Sequence, residues 1–111
     1  MQRLSLRRTD QEMILVLSGE IVMDMVLERK AEVARLVEEY DGPAITLDLA
    51  EVTFMDSSGV GLLIGLRRQC QERGKRFAVV NPAPPIRKLF ETLRLTDYFA
   101  VPQTPADRPA P

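Results

Sequence analysis

The chain has 111 residues, with 15 Lys and Arg, 16 Asp and Glu, no His, no Trp and one Cys. This length predicts one domain, large enough to bury a core without disulfides or metals. Without His there is no His general base, no Ser-His-Asp or Cys-His nucleophile pair and no His-ligated metal; one Cys makes no intrachain disulfide, and a net charge of −1 gives no footprint for nucleic acid.

The N-terminal residues carry Arg3, Arg7 and Arg8 around only two leucines and lack the apolar core of a secretory signal. No apolar run approaches the roughly 20 residues of a membrane span, so direct membrane insertion is not expected and the expected location is cytoplasmic. Residues 3–9 alternate apolar and polar, which predicts an edge strand with one wet face. The run MILVL at 13–17 predicts a strand buried on both faces, joined to the first as a hairpin through Asp10-Gln11-Glu12.

Residues 24–40 have helical spacing, with Met23, Val26, Leu27, Val33, Ala34, Val37 and Tyr40 on one broad face. Lys30 falls inside that face, its stem on apolar surface and its ammonium in water. Asp24 is the expected N-cap, and Asp41-Gly42-Pro43 the stop. Residues 44–49 predict the next strand, with Ile45, Leu47 and Leu49 on one face. Asp48 has apolar neighbours and is expected to satisfy loop donors rather than do acid/base chemistry.

Val52-Thr53-Phe54-Met55 then leads through Asp56-Ser57-Ser58-Gly59 into a second helix ending at Arg73-Gly74. Residues 77–80 predict a fourth, buried strand, 81–85 a loop, and Ile86, Leu89, Phe90 and Leu93 a third amphipathic helix. Residues 98–101 are expected to add a short strand. The last stretch, 102–111, holds four of the eight prolines and is expected to be a Pro-rich, disordered tail outside a domain at 1–101. The order strand–strand–helix–strand–helix–strand–helix predicts an α/β sheet that is parallel apart from its first strand.

The second helix breaks a rule, because Gly59, Gly61 and Gly65 all lie in it and an interior Gly costs about 0.8–1 kcal/mol relative to Ala. Leu62, Leu63, Leu66 and Cys70 fall within about 60° of Gly59 on a helical wheel and form the core stripe. Val60, Ile64 and Arg68 lie on the far side with Gly61 and Gly65. That face predicts either a flat, partly apolar docking surface with Arg68 as a rim charge, or a flank covered by another element of the same chain. At the helix mouth, Asp56 and the serines read first as ordinary N-cap and first-turn residues, with an exposed phosphorylation site as the alternative.

The segment TFMDSSG, within residues 52–99, and the earlier ILVLSGEI at 14–21 resemble the STAS domain of bacterial anti-sigma-factor antagonists. The similarity runs over roughly residues 4–101. It implies the STAS fold: a mixed, mostly parallel sheet with helices packed mainly on one side. It also implies a non-enzymatic partner-switching role without a cofactor. By resemblance, Ser58 is the phosphorylated residue, with Asp56, Ser57 and Gly59 as its flanking motif. The unphosphorylated protein would bind an anti-sigma factor that is also a serine kinase of histidine-kinase-like ATPase fold, and a PP2C-type phosphatase would reverse the modification.

The implied partner surface comprises Glu20, Val22, Asp24, Val60, Gly61, Ile64 and Arg68. One position departs from the family, which has Asp directly after the hydrophobic residue of its Gly-x-hydrophobic turn. Here the turn reads Gly19-Glu20-Ile21-Val22, and Asp24 follows two places later. Asp24 either substitutes for the missing carboxylate or simply caps the first helix. The alternative role implied by related domains is a non-catalytic scaffold or regulatory subunit of a transporter or stressosome-like assembly.

Overall fold

The computed structural model describes residues 3–102. Seven elements follow one another: β1 (Arg3–Arg8), β2 (Met13–Ile21), α1 (Met23–Glu39), β3 (Ala44–Met55), α2 (Ser57–Glu72), β4 (Arg76–Val80) and α3 (Pro84–Thr92). The sheet has the order β1-β2-β3-β4, antiparallel between β1 and β2 and parallel elsewhere, as the element order predicted. The hairpin turn is held by Thr9, whose hydroxyl accepts from the backbone N–H of Gln11 and Glu12 at 3.2 Å.

Register assigns the faces. Met13 opposes Ile45 and Leu15 opposes Leu47, while Ile45 and Leu47 oppose Phe77 and Val79 on β4. These side chains form the core under the helices, and Leu4 and Leu6 of β1 pack against its edge. The other face is only half covered, since Ile14 and Val16 keep partial exposure. The expectation that the run 13–17 is buried on both faces is therefore corrected: Met13, Leu15 and Leu17 are fully buried, and Ile14 and Val16 are not.

Three further boundaries differ. First, β3 does not stop at Leu49 but runs on to Met55, because bulges in its pairing with β2 let Val52 and Met55 still point into the core. Second, residues 98–101 form turns rather than a strand. Phe99 N–H donates to Leu95 and Val101 N–H to Thr96, which curls the chain and leaves one sheet-like bond, from Val79 N–H to Phe99. Third, α3 begins within the predicted loop, with Pro84 and Pro85 in its first turn, where a missing N–H costs nothing.

Most of the predicted tail lies outside the described residues. Pro102 itself belongs to the fold, its carbonyl accepting from Arg87 Nη1 at 3.2 Å. No helix among the described residues is long and apolar enough to cross a membrane.

Candidate functional site

The mouth of α2 is assembled by two strand ends. Met55 ends β3, and Asp56, in extended conformation, caps the helix: its Oδ1 accepts from Ser58 N–H at 2.9 Å and from Gly59 N–H at 3.2 Å. Asp56 N–H in turn donates to the Ile21 carbonyl at the end of β2. Gly59 has no room for a side chain, because a Cβ there would stand 2.6 Å from Ile21 O and 2.6 Å from Met55 Cγ. The motif positions Asp56 and Gly59 are therefore explained locally, one as the cap and the other as the contact that seats α2 on the sheet.

Ser57 and Ser58 are not needed for either task. Ser57 is exposed, and Ser58 is half-buried with its Oγ 3.6 Å from Met23 Sδ on the first turn of α1. Because Asp56 already takes the free N–H groups, the Ser58 hydroxyl has no capping role and stands in a weak hydrogen bond to a thioether.

The two helices open side by side above it. An apolar groove of about 350 Å³ runs between them, lined on one side by Val26, Lys30 and Ala34 and on the other by Ser58, Gly61 and Gly65. Both glycines are exposed, and a Cβ at either would meet nothing within 4 Å. Close packing inside this chain is thus not what these glycines serve. A larger hollow, of about 450 Å³, is lined by residues including Arg8, Asp10, Tyr40 and Asp41, and Ser58 does not line it.

The predicted partner residues divide. Gly61 and Arg68 are exposed, Ile64 is half-buried against the core, and Glu20 is exposed on β2. Val60 is corrected: it is 7% exposed and belongs to the core. Its flank of α2 is covered from the C-terminal side. Arg67, on the same flank, donates from Nε to the Tyr98 carbonyl at 2.8 Å and lays its guanidinium 3.9 Å over the Tyr98 ring. The covered-flank alternative thus holds for Val60, and the open one for Gly61 and Gly65.

Asp24 is corrected as well. The N-cap of α1 is Val22, with no side-chain cap, and its carbonyl already accepts from Val26 N–H at 2.9 Å. Strand β2 runs directly into the helix, so α1 starts before Asp24, which lies exposed in the first turn. There its charge complements the positive helix end without capping it. Val22 is half-buried.

Sequence reasoning missed an apolar rim. Met23 is 53% exposed, Leu27 73% and Phe54 52%, and the core stripe of α1 is Met25, Val26, Val33 and Val37. Met23 and Leu27 lie one turn apart on α1, and Phe54 pairs with Glu20 where β2 and β3 end. The signal was Lys30, the charge inside the predicted apolar arc, which marks the flank that faces the groove.

Burial raises the Cys70 thiol to about 11, and its side chain is fully enclosed, in keeping with a structural role. Asp48 Oδ1 accepts from Ala50 N–H at 2.9 Å and from Asn81 Nδ2 at 3.4 Å, as expected of a residue serving loop donors.

Comparison with known proteins adds four findings. Residues 4–102 match the family model described as "Mlab, STAS domain". The chain is 31% identical over 83 residues to the anti-sigma F factor antagonist of Lysinibacillus sphaericus, covering 75% of this chain and 71% of that protein. It superposes on the unphosphorylated anti-sigma factor antagonist SpoIIAA with a TM-score of 0.76 at 26% identity, over 95% of this chain and 91% of that one. The phosphorylated form of the Bacillus cell fate determinant SpoIIAA gives a TM-score of 0.70 at 26% identity over 95% of each chain.

Proposed function

The chain belongs to the STAS-domain family that includes the anti-sigma-factor antagonists, and on that premise we propose that it is the antagonist of a partner-switching system, controlled by phosphorylation at Ser58. The unphosphorylated protein binds an anti-sigma factor that is also a serine kinase of histidine-kinase-like ATPase fold, releasing what that factor sequesters. The kinase phosphorylates Ser58 and lets go, and a PP2C-type phosphatase resets the cycle. This chain is a substrate and ligand and does no catalysis itself.

The observation that carries the reading is the Ser58 hydroxyl. It is left over from capping and stands at the mouth of an open groove beside the exposed Met23. The partner surface that fits it is Glu20, Asp24, Gly61, Ile64 and Arg68, together with Met23, Leu27 and Phe54, while the half-buried Val22 between Glu20 and Asp24 brings no charge to it. A phosphate there adds about −1.5 to −2 charge. Docking would then require that charge to be desolvated against an apolar rim. A penalty of only about 3 kcal/mol weakens association by more than 100-fold, so no refolding is needed.

The family model's description, Mlab, and Val22 in place of the usual carboxylate favour a second reading: a scaffold or regulatory subunit that docks through the same surface constitutively. One experiment separates the two. Wild type, Ser58→Ala and Ser58→Asp are used as bait in lysate of the source cells, and the intact mass of each recovered chain is measured. The switch predicts a kinase in the wild-type eluate, its loss with Ser58→Asp, and one ATP-dependent phosphate that Ser58→Ala abolishes. Equal phosphorylation of Ser58→Ala refutes the site, and partners retained without any phosphorylated species support the scaffold.

A further inference from the structure

Among the described residues, the lining of the groove between α1 and α2 contains a single charged side chain, Lys30, and a single phosphorylatable one, Ser58. Lys30 is exposed and makes no ion pair among the described residues. The helices run parallel and in step: Met23 Sδ meets Ser58 Oγ at 3.6 Å, and the same number of residues further along both helices Gln69 Nε2 donates to the Ala34 carbonyl at 2.8 Å. Lys30 is therefore level with Gly65, about 10 Å beyond Ser58 along the axis.

Over that interval the α2 wall is Gly61, Leu62 and Gly65, without a charge, and the space above the two glycines is open. Long helical side chains lean toward their own N-terminus, which on α1 is the direction of Met23 and Ser58. The flexible lysine stem is long enough to carry its ammonium to within the Debye length of about 8 Å of a group on Ser58 Oγ.

We propose that Lys30 is the built-in counter-ion for a phosphate on Ser58, drawing the phosphoryl group into the groove over Gly61 and Gly65. Three charged groups of the elements that meet at this helix mouth are acidic. Asp56 lies in the cap, Asp24 in the first turn of α1 and Glu20 on β2, and all three repel a dianion. Lys30 is the cation placed to offset them. Phosphorylation then does two things at once: it adds charge at the mouth, and it fills the groove with an anion held from within.

The inference rests on Ser58 as the acceptor, but its test needs no kinase. The full chain is produced with phosphoserine inserted at position 58 by suppression of an amber codon, and its phosphorus resonance is titrated in wild type, Lys30→Met, Lys30→Arg and Lys30→Glu backgrounds. A nearby cation favours the dianion, so the second phosphate pKa in the wild type should lie about half a unit below that of Lys30→Met. Lys30→Arg should restore the wild-type midpoint, and Lys30→Glu should raise it beyond Lys30→Met. In 1 M salt, where the Debye length is about 3 Å, the differences should collapse.

Lys30 is exposed, so the variants keep the fold, as circular dichroism will verify. Midpoints that coincide in all four backgrounds overturn the counter-ion role and leave the Ser58 switch standing. Failure of any kinase to modify Ser58 overturns the switch and leaves these midpoints unaffected.

Discussion

Replacing Gly61 and Gly65 by Ala separates stability from function in a single variant. Both sit in the interior of α2 with ordinary helical backbone, since the glycines at positive φ are Gly19 and Gly74. Neither Cβ would touch anything within 4 Å. The substitutions therefore carry no packing penalty and recover helix propensity, about 0.8–1 kcal/mol each. Unfolding entropy of about 2.1 cal/mol/K per residue gives a domain of this size roughly 0.2 kcal/mol/K, so the double variant should melt about 8–10 °C higher. Thermal unfolding followed by circular dichroism measures the rise, and urea midpoints check it without heating. The same methyl groups intrude on the groove, and partner capture should fall although the fold is firmer. A melting temperature that stays level or drops refutes the premise that these positions are open within the chain. Stabilisation with undiminished capture refutes the groove as part of the docking surface.

The remaining expectations concern the helix mouth and the core. Gly59→Ala should have the opposite sign to Gly61→Ala: its methyl group would meet the Ile21 carbonyl and Met55, and such overpacking costs about 1–3 kcal/mol, read as a lower urea midpoint. Asp56→Ala should cost about 1 kcal/mol through loss of the cap to Ser58 and Gly59, with Asp56→Asn close to wild type if hydrogen bonding rather than charge matters. Cys70 should resist iodoacetamide at pH 8 in the folded state and react promptly in urea. Because burial raises its thiol from 9.0 to about 11, the stability tied to it is whole below pH 9 and lost as the pH climbs toward 11, which denaturation midpoints across that window will register.

What was legible in the sequence was whatever a single periodicity determines. The element order, the lone antiparallel strand and the core stripe of α2 follow from runs with one consistent pattern. Helix α1 was harder because apolar residues cover more than half its circumference. The arc through Met23 and Leu27 and the arc through Met25 and Val37 overlap, and only contact with β2 and α2 selects the second. Val60 misled for the converse reason. Its flank is closed by the turns after α3, through Tyr98 and Arg67, and no local pattern announces a segment that returns from some 30 residues away. The β3 bulges, which carry the strand on to Met55, likewise depend on the partner strand.

These long-range features also determine why the proposed switch is local. Parallel strands β2 and β3 end together, so α1 and α2 start together and Met23 meets Ser58. Gly59 lets α2 sit directly on the Ile21 carbonyl, which fixes the height of Ser58 relative to α1. A rigid seat of this kind holds the hydroxyl at the surface without a flexible loop, and a modifying enzyme must come to it. With a net charge of −1, the chain would move to about −3 on phosphorylation. That change would be concentrated at one helix mouth, beside an apolar rim and a groove that the described side chains leave open. The fold therefore does not have to transmit the signal, because the modified atom already lies on the surface that reads it.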